Sequence, residues 1–448
     1  MKKAALHNLG CKVNAYETEA MQEMLENAGY EIVPFQEGAD VYVINTCTVT
    51  NIADRKSRQM LHRARKMNPD AIVVAAGCYV QAQEESKNAV DPCIDIVIGN
   101  NKKQDLVSIL QEYEASHENS IKEVRTLTES MTCAGVKKEM IDINHTHEYE
   151  ALRLSKTGEH TRAYIKVQDG CNQFCSYCII PFARGRVRSR KMDEVVEEVK
   201  NLADNGYQEV VLTGIHLSSY GVDFKDKENL LTLIQAVAAV EKIQRIRLGS
   251  LEPRIITEEF ARALADCPKI CPHFHLSLQS GCDATLRRMN RRYTSSEYYE
   301  KCQLLRNYFD NPALTTDVIV GFPGETEEEF AQSRAFLEKV NFYETHIFKY
   351  SKREGTKAAS MENQVPEQVK AKRSGELIEL GEKNRREYEK SFLGKEVEVL
   401  VEEEIEVDGR VMQAGHSKEY MKIALDCSDN VQNRILKVRI ENDLQIIH

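Results

Sequence analysis

Apolar positions recur in two rhythms along the 448-residue chain, first as short runs set between amphipathic stretches, and at the end as short runs set between turns. Over residues 1–115, Ala4-Ala-Leu-His-Asn-Leu9, Val41-Tyr-Val-Ile44, Ala71-Ile-Val-Val-Ala75 and Ile94-Asp-Ile-Val-Ile98 alternate with polar segments of helical length at 17–28 and 52–67. That alternation predicts an open α/β unit with a mostly parallel sheet. Residues 116–145 are polar and weakly patterned and read as a linker with an edge strand or two. A second alternation fills 146–375, with strands expected at 163–167, 209–212, 245–248, 273–278, 313–320 and 345–350. Six βα units fit a partial TIM-type barrel, whose functional groups gather at the C-terminal strand ends. Residues 376–393 continue a charged, helix-like connection, and 394–448 carry short strands with turns at Asp408-Gly409 and Ala414-Gly-His416, the pattern of a small all-β barrel. The expected class is therefore α/β, with three units in that order.

Composition narrows the setting. No apolar run approaches the roughly eighteen residues that span a bilayer, and mean hydropathy is −0.47. The start, Met1-Lys-Lys-Ala-Ala-Leu-His, has no apolar leader, so the thirteen cysteines are expected in a reducing cytoplasm. A formal net charge of −10 argues against non-specific coating of nucleic acid. The charge is uneven, however: between 160 and 192 the only acid is Asp169, against Arg162, Lys166, Arg184, Arg186, Arg188, Arg190 and Lys191, and the stretch from Arg184 to Lys191 is expected to contact RNA phosphates. Arg55, Arg58, His62, Arg65 and Lys66 recur at helical spacing and suit either a phosphate grip or a solvated helix face. In the last unit seven Lys and Arg face twelve Asp and Glu, so an RNA face there must be local, with Lys418, Lys422 and Lys437 as candidates.

The cysteines carry the chemistry. Cys171, Cys175 and Cys178 are spaced C-x3-C-x2-C directly after the first barrel strand. Three thiolates on one loop hold three irons of a cubane cluster and leave the fourth open; zinc would want a fourth ligand nearby, and ordinary buried thiols are the remaining alternative. Cys11, Cys47 and Cys78 each follow an expected strand of the first unit, so three loops on one sheet edge can bring them together, unless they are simply small buried hydrophobes. Cys267-Pro-Lys-Ile-Cys271-Pro-His273-Phe-His275 offers four zinc-type ligands, but it enters a buried barrel strand and reads better as core or rim residues. Cys93, Cys133, Cys282, Cys302 and Cys427 are treated as structural, together with Cys267 and Cys271.

The C-x3-C-x2-C loop, with Tyr177 before its last cysteine, resembles the radical S-adenosylmethionine superfamily motif. Asn8-Leu-Gly-Cys-Lys-Val-Asn14, Asn45-Thr-Cys47-Thr-Val49 and Ala76-Gly-Cys78 resemble the cysteine motifs of the methylthiotransferases in that superfamily, and the last unit resembles a TRAM domain. Leu9-Gly-Cys-Lys-Val-Asn-Ala-Tyr-Glu-Thr-Glu19 and Cys178-Ile-Ile-Pro-Phe-Ala-Arg-Gly-Arg186 are most similar to the branch acting on N6-threonylcarbamoyladenosine at position 37 of tRNA. The resemblance implies two [4Fe-4S] clusters, on Cys171/Cys175/Cys178 and on Cys11/Cys47/Cys78. The first would bind S-adenosylmethionine and generate a radical, and the second would deliver sulfur to C2 of the modified adenine. A second S-adenosylmethionine would supply the methyl group, a low-potential donor such as flavodoxin or ferredoxin the electrons, and an unidentified donor the sulfur.

Under that resemblance Tyr177, Thr213, Gly214, His216, Glu252, Gln279 and Asp317 are expected cofactor or base contacts, and Arg291 or Arg292 an expected carboxylate partner, Arg292 being preferred. Alternatives are a methylthiotransferase of isopentenyladenosine tRNA or of a ribosomal-protein aspartate, and a non-enzymatic iron–sulfur protein that binds RNA or senses redox state.

Overall fold

Lys3–Asn8, Glu31–Ile32, Val41–Thr46, Ile72–Gly77, Ile96–Ile98 and Lys137–Glu139 pair in parallel as one sheet, in the spatial order second, first, third, fourth, fifth, sixth. Residues 1–85, 90–124, 136–156, 161–407, 409–427 and 431–448 are described by this structure, a computed structural model. Parallel sheets are covered on both faces, which is why the central strands read as nearly unbroken apolar runs. Val41, Val43, Val74, Ala76, Ile96 and Ile98 pack on helices Lys12–Asn27 and Leu106–Val124. Tyr42, Ile44, Val73, Ala75 and Val97 pack on helices Asn51–Met67 and Cys78–Glu85. Strand order reverses between the first and third strands, and a crevice at such a point is the usual ligand position in open α/β sheets. Cys11 and Cys47 follow those two strands.

The stretch expected as a linker is partly built into this unit. The helix runs to Val124, and Lys137–Glu139 pairs with Ile96–Ile98 as a short charged edge. A three-residue Lys-Lys-Glu strand has little apolar signal to read, and charge is how an exposed sheet edge is kept from pairing further. Cys133 lies outside the described residues.

Six parallel strands follow: Arg162–Asp169, Glu209–Gly214, Arg245–Leu248, His273–His275, Ala313–Val320 and Glu344–Lys349. Their ladders form two groups, linked across the third and fourth strands by the bridges Ile246–Ile270 and Leu251–Leu276. Ala163, Ile165, Val167, Val210, Leu212, Leu248, Phe274, Leu314 and Val318 pack into the core beneath the helical shell. The strand period of two turns the intervening Arg162, Lys166, Glu209, Arg245, Arg247, His273, His275 and Asp317 to the other face, so the barrel interior is polar.

Helix Glu367–Lys390 leads to a four-stranded antiparallel sheet ordered Lys422–Leu425, Arg410–Ser417, Glu396–Val407, Ile435–Arg439. The chain end curls it toward closure, Ile447 donating its N–H to the Lys422 carbonyl at 3.0 Å. This sheet sits under the N-terminal ends of the barrel strands: Arg245 donates to the Glu398 carbonyl at 2.7 Å, Arg247 to the Lys418 carbonyl at 2.9 Å, and Tyr420 stacks on His273 with centroids 4.7 Å apart. Among the described residues no helix is long and apolar enough to cross a membrane.

Candidate active site at the barrel rim

The C-x3-C-x2-C loop leaves the first barrel strand through Gly170, whose φ is +71° and whose missing Cβ would collide with the Arg186 carbonyl. Cys171 donates its N–H to the Gly185 carbonyl at 3.0 Å, and Ser176 donates to the Met289 carbonyl at 3.0 Å, fixing both ends of the loop. Donors then turn toward sulfur: the Gln173 N–H is 3.5 Å from Cys171 Sγ, and Arg291 Nη1 is 3.3 Å from Cys175 Sγ. Burial pushes the Cys171 thiol up to about 11, a cost that a soft cation on the sulfur removes.

The three N-terminal cysteines meet at the opposing sheet edge. Gly10, with φ +106°, lets the first loop pass so close that a Cβ there would lie 2.8 Å from Cys47 Sγ. Asn14 ties the loops together, its Nδ2 donating to the Leu9 carbonyl at 2.7 Å and the Thr46 carbonyl at 3.1 Å. Cys47 and Cys78 are buried while Cys11 is exposed. Burial pushes the Cys47 thiol up to about 12, and Cys78 and Cys11 push in the same direction.

Arg184 ties the barrel's cysteine loop to the N-terminal unit. It leaves the short helix Ile180–Ala183 just past Cys178, and it is fully buried. Its guanidinium donates to Cys78 Sγ at 3.1 Å, Asn14 Oδ1 at 2.6 Å, Glu17 at 2.7 and 3.0 Å, and Asp169 at 3.2 Å. Lys166 pairs with the same two carboxylates at 2.7 and 2.6 Å, Lys103 lies 3.2 Å from Glu17, and Arg188 lies 3.7 Å from Asp169. Burial opposes every one of these charges. The cations outweigh it at Glu17 and Asp169 and hold both carboxyls below their usual range, while Cys78, Glu17 and Asp169 outweigh it at Arg184 and raise its pKa. Four cations surround two carboxylates, and Arg184 turns part of the surplus onto the Cys78 sulfur. That balance suits an anionic thiolate ligand.

This burial corrects the phosphate role expected for 184–191. Arg184, Arg188 and Arg190 are buried, Arg190 against Glu198. Within the basic helix, Arg65 is drawn inward to Asp95 and to the carbonyls of Pro69 and Ala71, and His62 pairs with Asp91, leaving Arg55, Arg58 and Lys66 exposed. Lys418, Lys422 and Lys437 pair with Glu398, Glu403 and Glu396.

Of the expected rim contacts, Thr213 is buried at the end of its strand, and Gln279, buried in the loop beyond His275, bridges to Val318 with a left-handed φ of +70°. Gly214 leaves room for Gln168, whose Oε1 accepts the His216 N–H at 2.7 Å. His216 Nδ1 meets Ser219 Oγ at 2.6 Å while Nε2 is buried without a hydrogen bond; burial, then Arg291 and Arg254, push its pKa down to about 4. Tyr177 lies edge-on to Phe322 at 6.3 Å, and Glu252 accepts from Arg254 at 2.7 Å. Arg292 is exposed, and the arginine that reaches the cysteine loop is Arg291. Asp317 is engaged with His275 at 3.3 Å. Gly321 is a turn glycine against which Lys370 packs, and Glu325 in the same loop pairs with Arg373 at 2.7 Å.

A model of the radical SAM superfamily matches residues 165–337, and one described as uncharacterized protein family UPF0004 matches residues 3–99. The chain is 41% identical to the threonylcarbamoyladenosine tRNA methylthiotransferase MtaB of Bacillus subtilis (strain 168), over 98% of this chain and 94% of that protein. The chain belongs to the radical S-adenosylmethionine methylthiotransferase family. It is 40% identical to the MtaB protein of Aquifex aeolicus (strain VF5), over 90% and 93% of the two chains, and 34% identical to the tRNA-2-methylthio-N(6)-dimethylallyladenosine synthase of Acetivibrio thermocellus, over 98% and 88%. The radical S-adenosylmethionine methyltransferase TsrM of Kitasatospora setae shares the fold, with a TM-score of 0.53 at 15% identity over 78% of this chain and 72% of that one. As a methylthiotransferase the protein is an enzyme whose cofactors are two [4Fe-4S] clusters and S-adenosylmethionine. The residues fit such groups: the three cysteines of each set lie close enough to raise one another's pKa by charge, and N–H donors aim at Cys78, Cys171 and Cys175, as cluster sulfurs require.

Proposed function

We propose that this methylthiotransferase acts on tRNA in the cytoplasm, converting N6-threonylcarbamoyladenosine at position 37 to its 2-methylthio derivative. The observation that carries the reaction is the bond from Arg184, which follows the Cys171/Cys175/Cys178 loop, to the sulfur of Cys78 in the other cysteine set. For the substrate, the support is the pattern of relatives, MtaB proteins at 36–41% identity against 32–34% for the dimethylallyladenosine synthases.

When bound, the clusters and S-adenosylmethionine supply the one-electron chemistry and the sulfur that an unactivated aryl C–H demands. Cys171, Cys175 and Cys178 hold the cluster that takes S-adenosylmethionine, and Cys11, Cys47 and Cys78 hold the other. Arg291 anchors the first loop, bonded at once to Cys175 Sγ, the Ser277 carbonyl and Tyr293 Oη. Tyr177, Thr213, Gly214, His216 and Gln279 line the rim as cofactor contacts. His216 stays neutral in this setting, and its Nε2 is free of any hydrogen bond to the protein. Phe174 and Phe182 stand exposed beside the cysteines, edge to face at 6.0 Å, with the Arg186 guanidinium 4.5 Å over Phe174. Exposed aromatic and guanidinium planes are what unstacked loop bases bind. Exposed Arg55, Arg58 and Lys66 add phosphate contacts. The C-terminal sheet, in this reading a TRAM domain over 394–448, braces the barrel base.

The test is to incubate reconstituted enzyme, reductant and S-adenosylmethionine with tRNA carrying threonylcarbamoyladenosine, tRNA carrying isopentenyladenosine, or ribosomal protein. Mass spectrometry should find a methylthio product only in the first. Product only in another arm would reassign the substrate.

A further inference from the structure

His275, Asp317 and His346 come together inside the barrel, on elements that carry neither cysteine triad. Strand register explains the meeting: His275 pairs with Thr315, and Asp317, two residues further on the same face, pairs with His346 of the next strand. One ligand atom of each lies within 4.8 Å of the others. Asp317 Oδ2 is 3.3 Å from His275 Nε2, and the two imidazole centroids are 5.8 Å apart at an interplanar angle of 24°.

Two details set this group apart from an ion pair. Thr315 Oγ1 lies 3.0 Å from His275 Nδ1 and orients the ring, the arrangement that supports a metal-binding histidine from behind. The opposite nitrogen, Nε2, is buried yet makes no hydrogen bond, because the nearby carboxylate oxygen lies off the line of the ring N–H. A buried ring nitrogen without a partner, with a carboxylate and a second imidazole around the same point, leaves a place that a cation satisfies.

We propose that His275, Asp317 and His346 form a divalent transition-metal site of two imidazoles and one carboxylate. Two nitrogens and one oxygen suit zinc, cobalt(II) or iron(II), whereas magnesium and calcium take oxygen ligands. Three protein ligands leave coordination positions open, and His346, the exposed member, marks the side from which the ion and a water or ligand oxygen enter. The site differs from the cysteine triads in kind, since it has no thiolate.

The test uses enzyme with both clusters reconstituted, exposed anaerobically to cobalt(II) alone and then desalted. The wild type should retain about one cobalt per chain, with weak visible bands and no thiolate charge-transfer absorption. His275→Ala and the exposed His346→Ala should lose that cobalt while keeping wild-type iron content and circular dichroism. Thr315→Val should weaken cobalt binding about 10–100-fold. No retained cobalt, the outcome of a plain His275–Asp317 ion pair, would overturn the proposal. So would cobalt held equally by wild type and His346→Ala, or a sulfur-ligated spectrum.

Discussion

Replacing Arg184 with methionine removes a guanidinium bonded to Glu17, Asp169, Asn14 and the Cys78 sulfur from a fully buried position. Charged hydrogen bonds contribute about 1.5–3 kcal/mol each, but they do not add in a shared network. Glu17 and Asp169 keep Lys166, and Glu17 keeps Lys103, so neither is left without a counter-charge. The expected loss is therefore about 1.5–3 kcal/mol, the worth of roughly one charge-assisted bond, and not the sum of all contacts or the larger cost of stranding a buried charge. Because the bonds run from the barrel loop to the helix Lys12–Asn27, the loss should fall on the docking of the N-terminal unit. Anaerobic urea unfolding followed by circular dichroism, with calorimetry, reads this as an earlier, separated N-terminal transition. Arg184→Lys keeps the charge but not the fork of donors and should fall between the two. An Arg184→Met variant within about 1 kcal/mol of wild type, unfolding in an unchanged single step, would refute the reasoning, since a buried charge-assisted bond is worth more than that.

Three further outcomes follow from the same geometry. The folded-state pKa values of Glu17 and Asp169 lie below the unfolded ones, so their stabilisation is complete above about pH 4 and drains away as pH falls below it; acid unfolding of Glu17→Gln should be correspondingly less steep. His216, pushed down to about 4 from 6.5, should remain neutral at pH 6 in a proton-resonance titration, and a midpoint near 6.5 would show that its buried environment is misjudged. Its contribution to stability declines as pH falls through that window, because the unfolded chain takes up the proton first. Phe174→Ala and Phe182→Ala should each weaken tRNA binding by about 1–3 kcal/mol of lost stacking, measured by fluorescence anisotropy, without altering S-adenosylmethionine cleavage in the absence of tRNA.

The strands and the cysteine edges were legible because both are local signals: apolar runs mark buried parallel strands, and a cysteine just past such a run lands at the sheet edge. Other features depend on tertiary partners that local patterning does not carry. Arg184, Arg188 and Arg190 look like a phosphate grip in one dimension, yet each faces a carboxylate, and the Glu17 that receives Arg184 lies 167 residues away. Lys137–Glu139 has too little apolar content to announce a strand, and only pairing with Ile96–Ile98 makes it one. His275 first reads as part of a cysteine-rich decoy, whereas strand register sets it beside Asp317 and His346. Arg291 and Arg292 are both expected to meet a carboxylate, whereas the turn after helix Asp283–Arg288 sets Arg291 against the Cys175 sulfur and leaves Arg292 exposed.

The central claim is a division of labour between two cysteine sets, with Arg184 bonding the loop of one to Cys78 of the other. Its most direct test replaces Cys11, Cys47 and Cys78 together, reconstitutes the remaining cluster, and measures 5′-deoxyadenosine and modified nucleoside in one reaction with reductant, S-adenosylmethionine and substrate tRNA. The account predicts that cleavage of S-adenosylmethionine persists while no methylthio nucleoside forms; loss of cleavage, or methylthiolation by the triple variant, would contradict it.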